Sequence, residues 1–261
     1  MLIKKSIIFA ALALSSAAFL SGCGAAPAAD QSAPSAAIFP LKDYMAKASE
    51  SYKARTDLAK AKEAYNLMVA AHKSNPKDYE GAWLLAKYAY YLGSHSPEKS
   101  DGKEVFNAGI KAGEDAVTID ANKPEGHFWL AANLGGRAQI SMMDGAADTE
   151  DIRKHMQEVI KLDPGFQSGS AYMAIGQIDL ELPRLMGGDP QAAVKQLEGG
   201  LKYGADNSLY HLRLAEAYYA VGRTDDAKKQ LEVLAQLKPN PDFLPEHADA
   251  LKGANDLAAK F

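Results

Sequence analysis

Between Ser208 and Pro239 the apolar side chains recur at helical spacing. Leu214 and Tyr218 stand four residues apart on one helical face, and Ala215 beside them lets a neighbouring helix come close. Gly222 supplies the turn that ends this helix. Thr224 reads as the N-cap of a second helix with Ala227, Leu231 and Leu234 as its buried stripe, and Pro239 closes the unit. The pattern predicts two helices joined by a tight turn and packed through small and apolar positions.

A looser version of this outline runs back along the chain. Asn75-Pro76, Lys123-Pro124 and Asp163-Pro164 each end a helical pattern, and a new one follows within a few residues. Asp148 to Asp151 reads as a helix start, followed by Ile152, Met156, Val159 and Ile160 at amphipathic spacing. Alternating runs of β-branched residues are missing, which points to an all-α fold. Units of about 34 residues with these positions carry the signature of the tetratricopeptide repeat. The expected architecture is a series of tetratricopeptide-like helix-turn-helix repeats stacked into an α-solenoid. Its helix pairs fall near 41–75, 78–121, 125–162, 166–204 and 207–238, with a C-terminal capping helix near 242–260. Units that stretch from about 34 to nearly 50 residues imply insertions.

The residues before this array follow a different pattern. Lys4 and Lys5 precede an apolar run from Ile7 to Leu20 of about 14 residues, the length of a signal-peptide core and short of the ~20 that span a bilayer. The run ends in Leu20-Ser21-Gly22-Cys23, which resembles the lipobox of bacterial lipoproteins. Cys23 is the chain's one cysteine, so no internal disulfide can form, and its place at the cleavage point suits acylation better than redox or metal chemistry. The expectation is a lipoprotein signal peptide over 1–22, a membrane anchor through two or three acyl chains on Cys23, a flexible tether over 23–40 rich in Ala, Pro, Ser and Gly, and the repeat domain over 41–261. Glycine, rather than the aspartate of inner-membrane retention in enteric bacteria, follows Cys23. That sorting rule favours an outer-membrane anchor, and the localisation expected is the cell envelope, with the domain on the periplasmic face.

Charge and motifs narrow the chemistry. With 29 Lys and Arg against 33 Asp and Glu, mixed along the chain, nucleic-acid binding is not expected. The six histidines are scattered, and no pair has the i, i+4 spacing with a glutamate of a zinc protease. A Gly-x-Ser-x-Gly elbow, a phosphate-binding loop and a nucleotide fingerprint are all absent from the sequence. The reading is a non-catalytic protein without a metal or cofactor.

Two segments depart from what a helical scaffold needs. His127-Phe128-Trp129-Leu130-Ala131-Ala132-Asn133-Leu134-Gly135-Gly136-Arg137 joins a dense aromatic start to two adjacent glycines, each costing a helix about 1 kcal/mol. Either close packing between repeat helices or backbone approach to a ligand must offset that cost. Asn133 and Arg137, four apart, suggest a polar strip beside the apolar one. In Leu182-Pro183-Arg184-Leu185-Met186-Gly187-Gly188-Asp189-Pro190, Asp189 as N-cap and Pro190 in the first turn explain the end structurally. Arg184 among Leu182, Leu185 and Met186 is left either as a solvated surface cation or as a group offered to an acidic head group. Trp129, Met142, Met143, Leu185 and Met186 supply the apolar wall that a ligand channel needs, and Met142-Met143 serve equally as core filler.

The lipobox, the helix from His127 to Gly135, the junction Leu162-Asp163-Pro164-Gly165-Phe166, and Leu182-Pro183 followed by Gly187-Gly188-Asp189 stand together in order. In this the chain resembles the TatT family, tetratricopeptide-repeat lipoproteins associated with tripartite ATP-independent periplasmic (TRAP) transporters. The resemblance implies an all-helical homo-oligomer, a trimer, that encloses a hydrophobic pore and docks a periplasmic solute-binding protein. It also implies an apolar or amphipathic ligand, such as an organic acid with a hydrophobic tail. Arg184 lies in the matched loop and carries over as a pore residue; Trp129, Asn133, Arg137, Met142, Leu185 and Met186 complete the candidate ligand or pore set. The alternative is a pure interaction scaffold, as such repeats often build in pilus or outer-membrane assembly.

Overall fold

The structure is a computed structural model that describes residues 41–238 and 244–261. The expected signal peptide, Cys23 and the tether lie outside the described residues. Eleven α-helices and one short 3-10 turn account for the regular structure among the described residues: α1 (Leu41–Lys53), α2 (Leu58–Ser74), α3 (Tyr79–His95), α4 (Lys99–Ile119), α5 (Pro124–Ile140), α6 (Met142–Leu162), α7 (Phe166–Glu181), α8 (Pro190–Gly200), α9 (Ser208–Ala220), α10 (Thr224–Gln236) and α11 (Leu244–Ala258). Consecutive helices pack on each other, and α3 also meets α5, α7 meets α9 and α9 meets α11. First helices of successive pairs therefore line up side by side, as a solenoid requires. The expected all-α repeat architecture and the closing helix are both present.

The local chemistry sets the helix ends. Asp57, Asp78, Asp189 and Asn207 accept hydrogen bonds from backbone N–H groups in the first turns of α2, α3, α8 and α9. Pro124 and Pro190 open α5 and α8, where a missing N–H costs nothing. Gly222 adopts φ of 81° after α9, a turn conformation that L side chains resist. Two expectations shift. Arg223, not Thr224, occupies the cap position of α10, and Thr224 is its first helical residue. Helix α6 begins at Met142 rather than near Asp148, because Asp148 is claimed by Arg137 of α5 and lies inside the helix.

Small residues bring α3, α4 and α5 unusually close. The Phe106 ring of α4, 2% exposed, lies against Gly93 of α3 and Gly136 of α5. Leu130 of α5 covers Gly113 of α4, and Ala82, Ala86 and Ala89 of α3 are wholly buried. Asn133 is also wholly buried, so the expected polar strip does not form. Its amide donates to the Ala86 carbonyl of α3 at 2.9 Å and to the Trp129 carbonyl of its own helix at 2.7 Å. Its side-chain oxygen faces Gly109 of α4, where an added Cβ would lie 2.1 Å away. One asparagine thus spans three helices.

Two large buried hydrophobic clusters result, with a small third one of Ala61, Tyr91 and Leu92. The first gathers residues of α1 to α7, including Met68, Leu85, Leu130 and Val159; the second gathers α8 to α11 around Leu197, Tyr210, Leu214 and Leu234. Helix α7 serves both, giving Ala171 and Ile175 to the first and packing Tyr172, Met173 and Leu180 against the second. At its start Gln167, Ser168 and Gly169 have φ of 50°, 52° and 70°. This is a left-handed turn, and the right-handed helix runs from Ser170 onward.

The two glycines of α5 make opposite predictions. Gly136→Ala drives a methyl into a Phe106 ring already blocked behind by Gly93, and is expected to cost about 1–3 kcal/mol in denaturant unfolding. A Cβ at Gly135 meets nothing within 4 Å, so Gly135→Ala is expected to stabilise by about 0.5–1 kcal/mol. Ser168→Gly, which relieves an L residue of a left-handed conformation, is expected to raise stability by about 1 kcal/mol in the same assay.

Candidate functional site

The expected site residues fall in two groups. Trp129, Asn133 and Arg137 sit along α5, and Arg184, Leu185 and Met186 form a short 3-10 turn between α7 and α8. Met142 starts α6, but its side chain lies outside what the structure describes. Arg153 of α6 reaches the second group: its guanidinium donates to the Gly187 carbonyl at 3.4 Å and pairs with Asp179 of α7 at 2.6 Å.

Trp129 is the centre of an aromatic row. It packs edge-on to Phe128 with ring centres 4.9 Å apart, and Tyr90 of α3 tilts against it at 5.9 Å. The ammonium of Lys87 stands 5.7 Å from the Trp129 ring and 5.3 Å from that of Tyr52, which reaches in from α1. Tyr52 stacks on Tyr88 at 4.1 Å, and Arg55 lies 4.9 Å above it. A cation over an aromatic face is attracted by the ring quadrupole, so the row holds its positive charges beside apolar surface. Tyr52, Lys87 and Tyr90 were not among the expected residues. For Lys87 and Tyr90 the signal is their spacing with Trp83 on one face of α3, whereas nothing local points to Tyr52 on α1. Trp129 itself is 7% exposed, and its indole N–H has no acceptor among the described residues. Such a group is costly to bury.

Asn133 ties the Trp129 carbonyl to α3, and Arg137 is engaged at the next junction. The Arg137 guanidinium grips the Asp148 carboxylate of α6 with bonds of 2.8 to 3.0 Å and donates to Asn107 of α4 at 3.0 Å. Only 9% of the Asp148 side chain is exposed. The bidentate geometry fixes the α5–α6 junction and leaves Arg137 committed to it.

The second group is exposed yet firmly held. Leu185 is fully solvent-exposed and Met186 more than half so. The Pro183 carbonyl accepts from the Met186 and Gly188 N–H groups at 2.8 and 3.1 Å, and the Asp189 N–H donates to the Asp179 carbonyl at 2.8 Å. Gly187 takes φ of 88°, and a Cβ at Gly188 would strike the Leu182 carbonyl. This explains both glycines. The braced turn thus presents leucine, methionine and arginine to solvent.

A separate cleft of about 330 Å³ lies between α10 and α11, lined by Leu231, Leu234, Leu251, Ala254 and Phe261 with Lys228 at its side. It belongs to the second cluster, whereas Trp129 belongs to the first. Among the described residues no three His, Cys, Asp or Glu side chains converge as a metal-ligand set, and no helix is long and apolar enough to cross a membrane. Every histidine is engaged: His72 with Asp115, His95 with the Tyr91 carbonyl, His127 with His155, His211 with Gln230 and His247 with Ser208.

Comparison with known proteins agrees with the all-α repeat fold. The fold is similar to a thermophilic tetratricopeptide-repeat protein, TTC0263, from Thermus thermophilus, with TM-score 0.58 and 20% identity over 81% of this chain and 99% of that one. It is also similar to MamA, with TM-score 0.50 and 18% identity over 74% of this chain and 88% of that one. No curated protein matches. The family model of regulator of microtubule dynamics protein 1-3 matches residues 44–177, within α1 to α7. The model of the TRAP transporter T-component matches residues 119–259, a span that takes in the whole of α5, the 184–186 turn and α11. Covering more than half of the sequence and both groups of candidate residues, that second match shows that the chain belongs to the TRAP transporter T-component family.

Proposed function

We propose that this protein is a non-catalytic accessory of a TRAP transporter in the bacterial envelope. It binds an apolar or amphipathic ligand against the aromatic row of α1, α3 and α5 and docks a periplasmic solute-binding protein. The observation that carries the reading is the T-component match, which runs through both Trp129 and the exposed Arg184–Met186 turn. The physical features support it. The row offers apolar faces and an indole donor, a mixture that suits a ligand with a polar head and a hydrophobic tail. Trp129 is the wall, Asn133 and Arg137 hold it in place, and Met142 opens the next helix. Arg184, Leu185 and Met186 form the contact for the partner protein or the mouth of a pore. The protein works as a homo-oligomer, a trimer as the family resemblance implies. It is held to the outer membrane, facing the periplasm, by lipid on Cys23. A repeat scaffold for pilus or outer-membrane assembly is the competing reading, since fold likeness alone serves both.

The ligand site is tested with Trp83→Phe, which leaves Trp129 the sole tryptophan. Titration with a medium-chain alkyl carboxylate such as decanoate is expected to give a saturable change in its emission. Native mass spectrometry of the same protein is expected to show an oligomer with a hydrophobic adduct. A bare monomer with no saturable response supports the scaffold instead.

Leu185→Asp alters a fully exposed side chain, so helicity and melting temperature are expected to stay unchanged. Binding to the solute-binding protein of the transporter is expected to weaken about tenfold or more. Equal binding removes the turn from the docking role. Cys23→Ala is expected to release the protein from membrane fractions, and continued partitioning after signal removal overturns the anchor.

A further inference from the structure

Two of the repeats place a histidine at the fourth residue of the first helix, His127 in α5 and His211 in α9. Each directs its Nε2 at the carbonyl six residues earlier, Ala121 at 3.1 Å and Ala205 at 3.0 Å. Each directs its Nδ1 at the second helix of the pair at 2.8 Å. There the two repeats differ: His127 meets the Nδ1 of His155, and His211 meets the side-chain amide of Gln230.

The difference is chemical. With Nε2–H donated to the Ala121 carbonyl, a neutral His127 leaves Nδ1 as an acceptor, and His155 Nδ1–H donates to it. When both rings are charged, each Nδ1 carries a proton and the contact becomes a repulsion between cations. An amide turns to present either its oxygen or its NH2, so Gln230 partners a neutral or a charged ring alike.

We propose that the His127–His155 contact makes the α5–α6 pair a proton-sensitive latch, closed at neutral pH and opening on acidification, with His211–Gln230 as its pH-indifferent counterpart. His127 is 7% exposed and tied to the α4–α5 corner through Ala121, so it has little room to swing away from a charged neighbour. The charges that reach His155 are His127 from α5 and Lys154 and Asp151 from α6; Glu158, paired with Lys161, faces His127. Burial, then His127 and Lys154, hold His155 below the ordinary histidine range, with Asp151 opposing. The unfolded chain therefore binds more protons below about pH 6.5, so the latch's stability is complete above that value and is lost as pH falls toward the depressed one. Opening reaches the aromatic row, because Phe128 packs on Trp129 and, at 5.3 Å, on Phe166 of α7.

Hydrogen exchange on the full lipoprotein in detergent, between about pH 7.5 and about pH 5.5, tests the latch. Protection of α5 and α6 amides, corrected for intrinsic exchange, is expected to fall about tenfold relative to α9 and α10. His155→Gln copies the other repeat and is expected to abolish the fall, and Gln230→His is expected to confer one on α9 and α10. No fall in the wild type, or an equal fall in His155→Gln, overturns the proposal. If the variants do not fold, ring NMR titration of the wild type decides. Two coupled steps, one below the ordinary histidine range, support the latch, and two independent ordinary titrations overturn it.

Discussion

The close approach of α3, α4 and α5 is the constraint on which the rest of the molecule depends. Glycine in a helix interior is a loss of about 1 kcal/mol each, and this region carries Gly93, Gly109, Gly113 and Gly136. The loss is offset by what occupies the missing Cβ positions: the Phe106 ring, the Asn133 amide and Leu130. Because Asn133 needs two carbonyls and a glycine from three helices at once, it fixes their register as well as their spacing. Trp129 lies one turn earlier on the same helix, and its carbonyl is one of the two acceptors in that lock. The aromatic row is thus positioned by the packing, not by a loop, and is correspondingly rigid.

Much of this organisation was legible in the sequence. The five helix pairs, the closing helix, the Asp189–Pro190 start and the Gly222 turn follow from periodicity and cap chemistry, which are local properties. Partner identity is not local, and the misreadings lie there. Asp148 reads as a helix start until Arg137, eleven residues earlier, takes its carboxylate into a buried ion pair. Asn133 reads as part of a surface strip until the carbonyl of Ala86, in another repeat, accepts from it. Gly135 and Gly136 are identical in sequence terms, yet one faces open space and the other Phe106. The site was half legible for the same reason. Trp129 and the Arg184 turn stand out as local anomalies, whereas Tyr52, Lys87 and Tyr90 gain meaning only when α1, α3 and α5 come together.

Helix α7 links two cores that otherwise have separate memberships. Its start is strained: Gln167 and Ser168 hold left-handed conformations that cost about 1–2 kcal/mol per residue. Phe166 just before them is anchored against Phe128, and Gly169 just after lies against Tyr203 and the Gly200 carbonyl. Packing from the first cluster on one side and from α8 on the other therefore over-determines the turn. Such strain persists only where the surroundings insist on it. In the last turn of the same helix stands Asp179, whose buried carboxylate pairs with Arg153 and whose carbonyl holds the Asp189 N–H. The exposed 184–186 turn is thereby tied to α6, and α6 is tied to α5 through Asp148. A chain of charge-assisted bonds connects the two groups of candidate residues.

The histidines show how a repeat fold acquires local properties without altering its frame. His127 and His211 perform one structural task, fastening an inter-repeat corner to the second helix of a pair, and their bonds to that corner are nearly equal in length at 3.1 and 3.0 Å. What differs is a single partner side chain, and with it the number of protons the contact tolerates. A glutamine leaves the fastening independent of pH, while a histidine couples it to the surroundings, because two facing imidazoles share a hydrogen bond only while one of them remains unprotonated at the contact. The coupled version stands next to Phe128 and Trp129, in the first cluster; the uncoupled one stands in the second. Since the clusters meet through α7, loosening in the first need not dissolve the second. The solenoid separates a responsive half from a constant one by the choice of one residue.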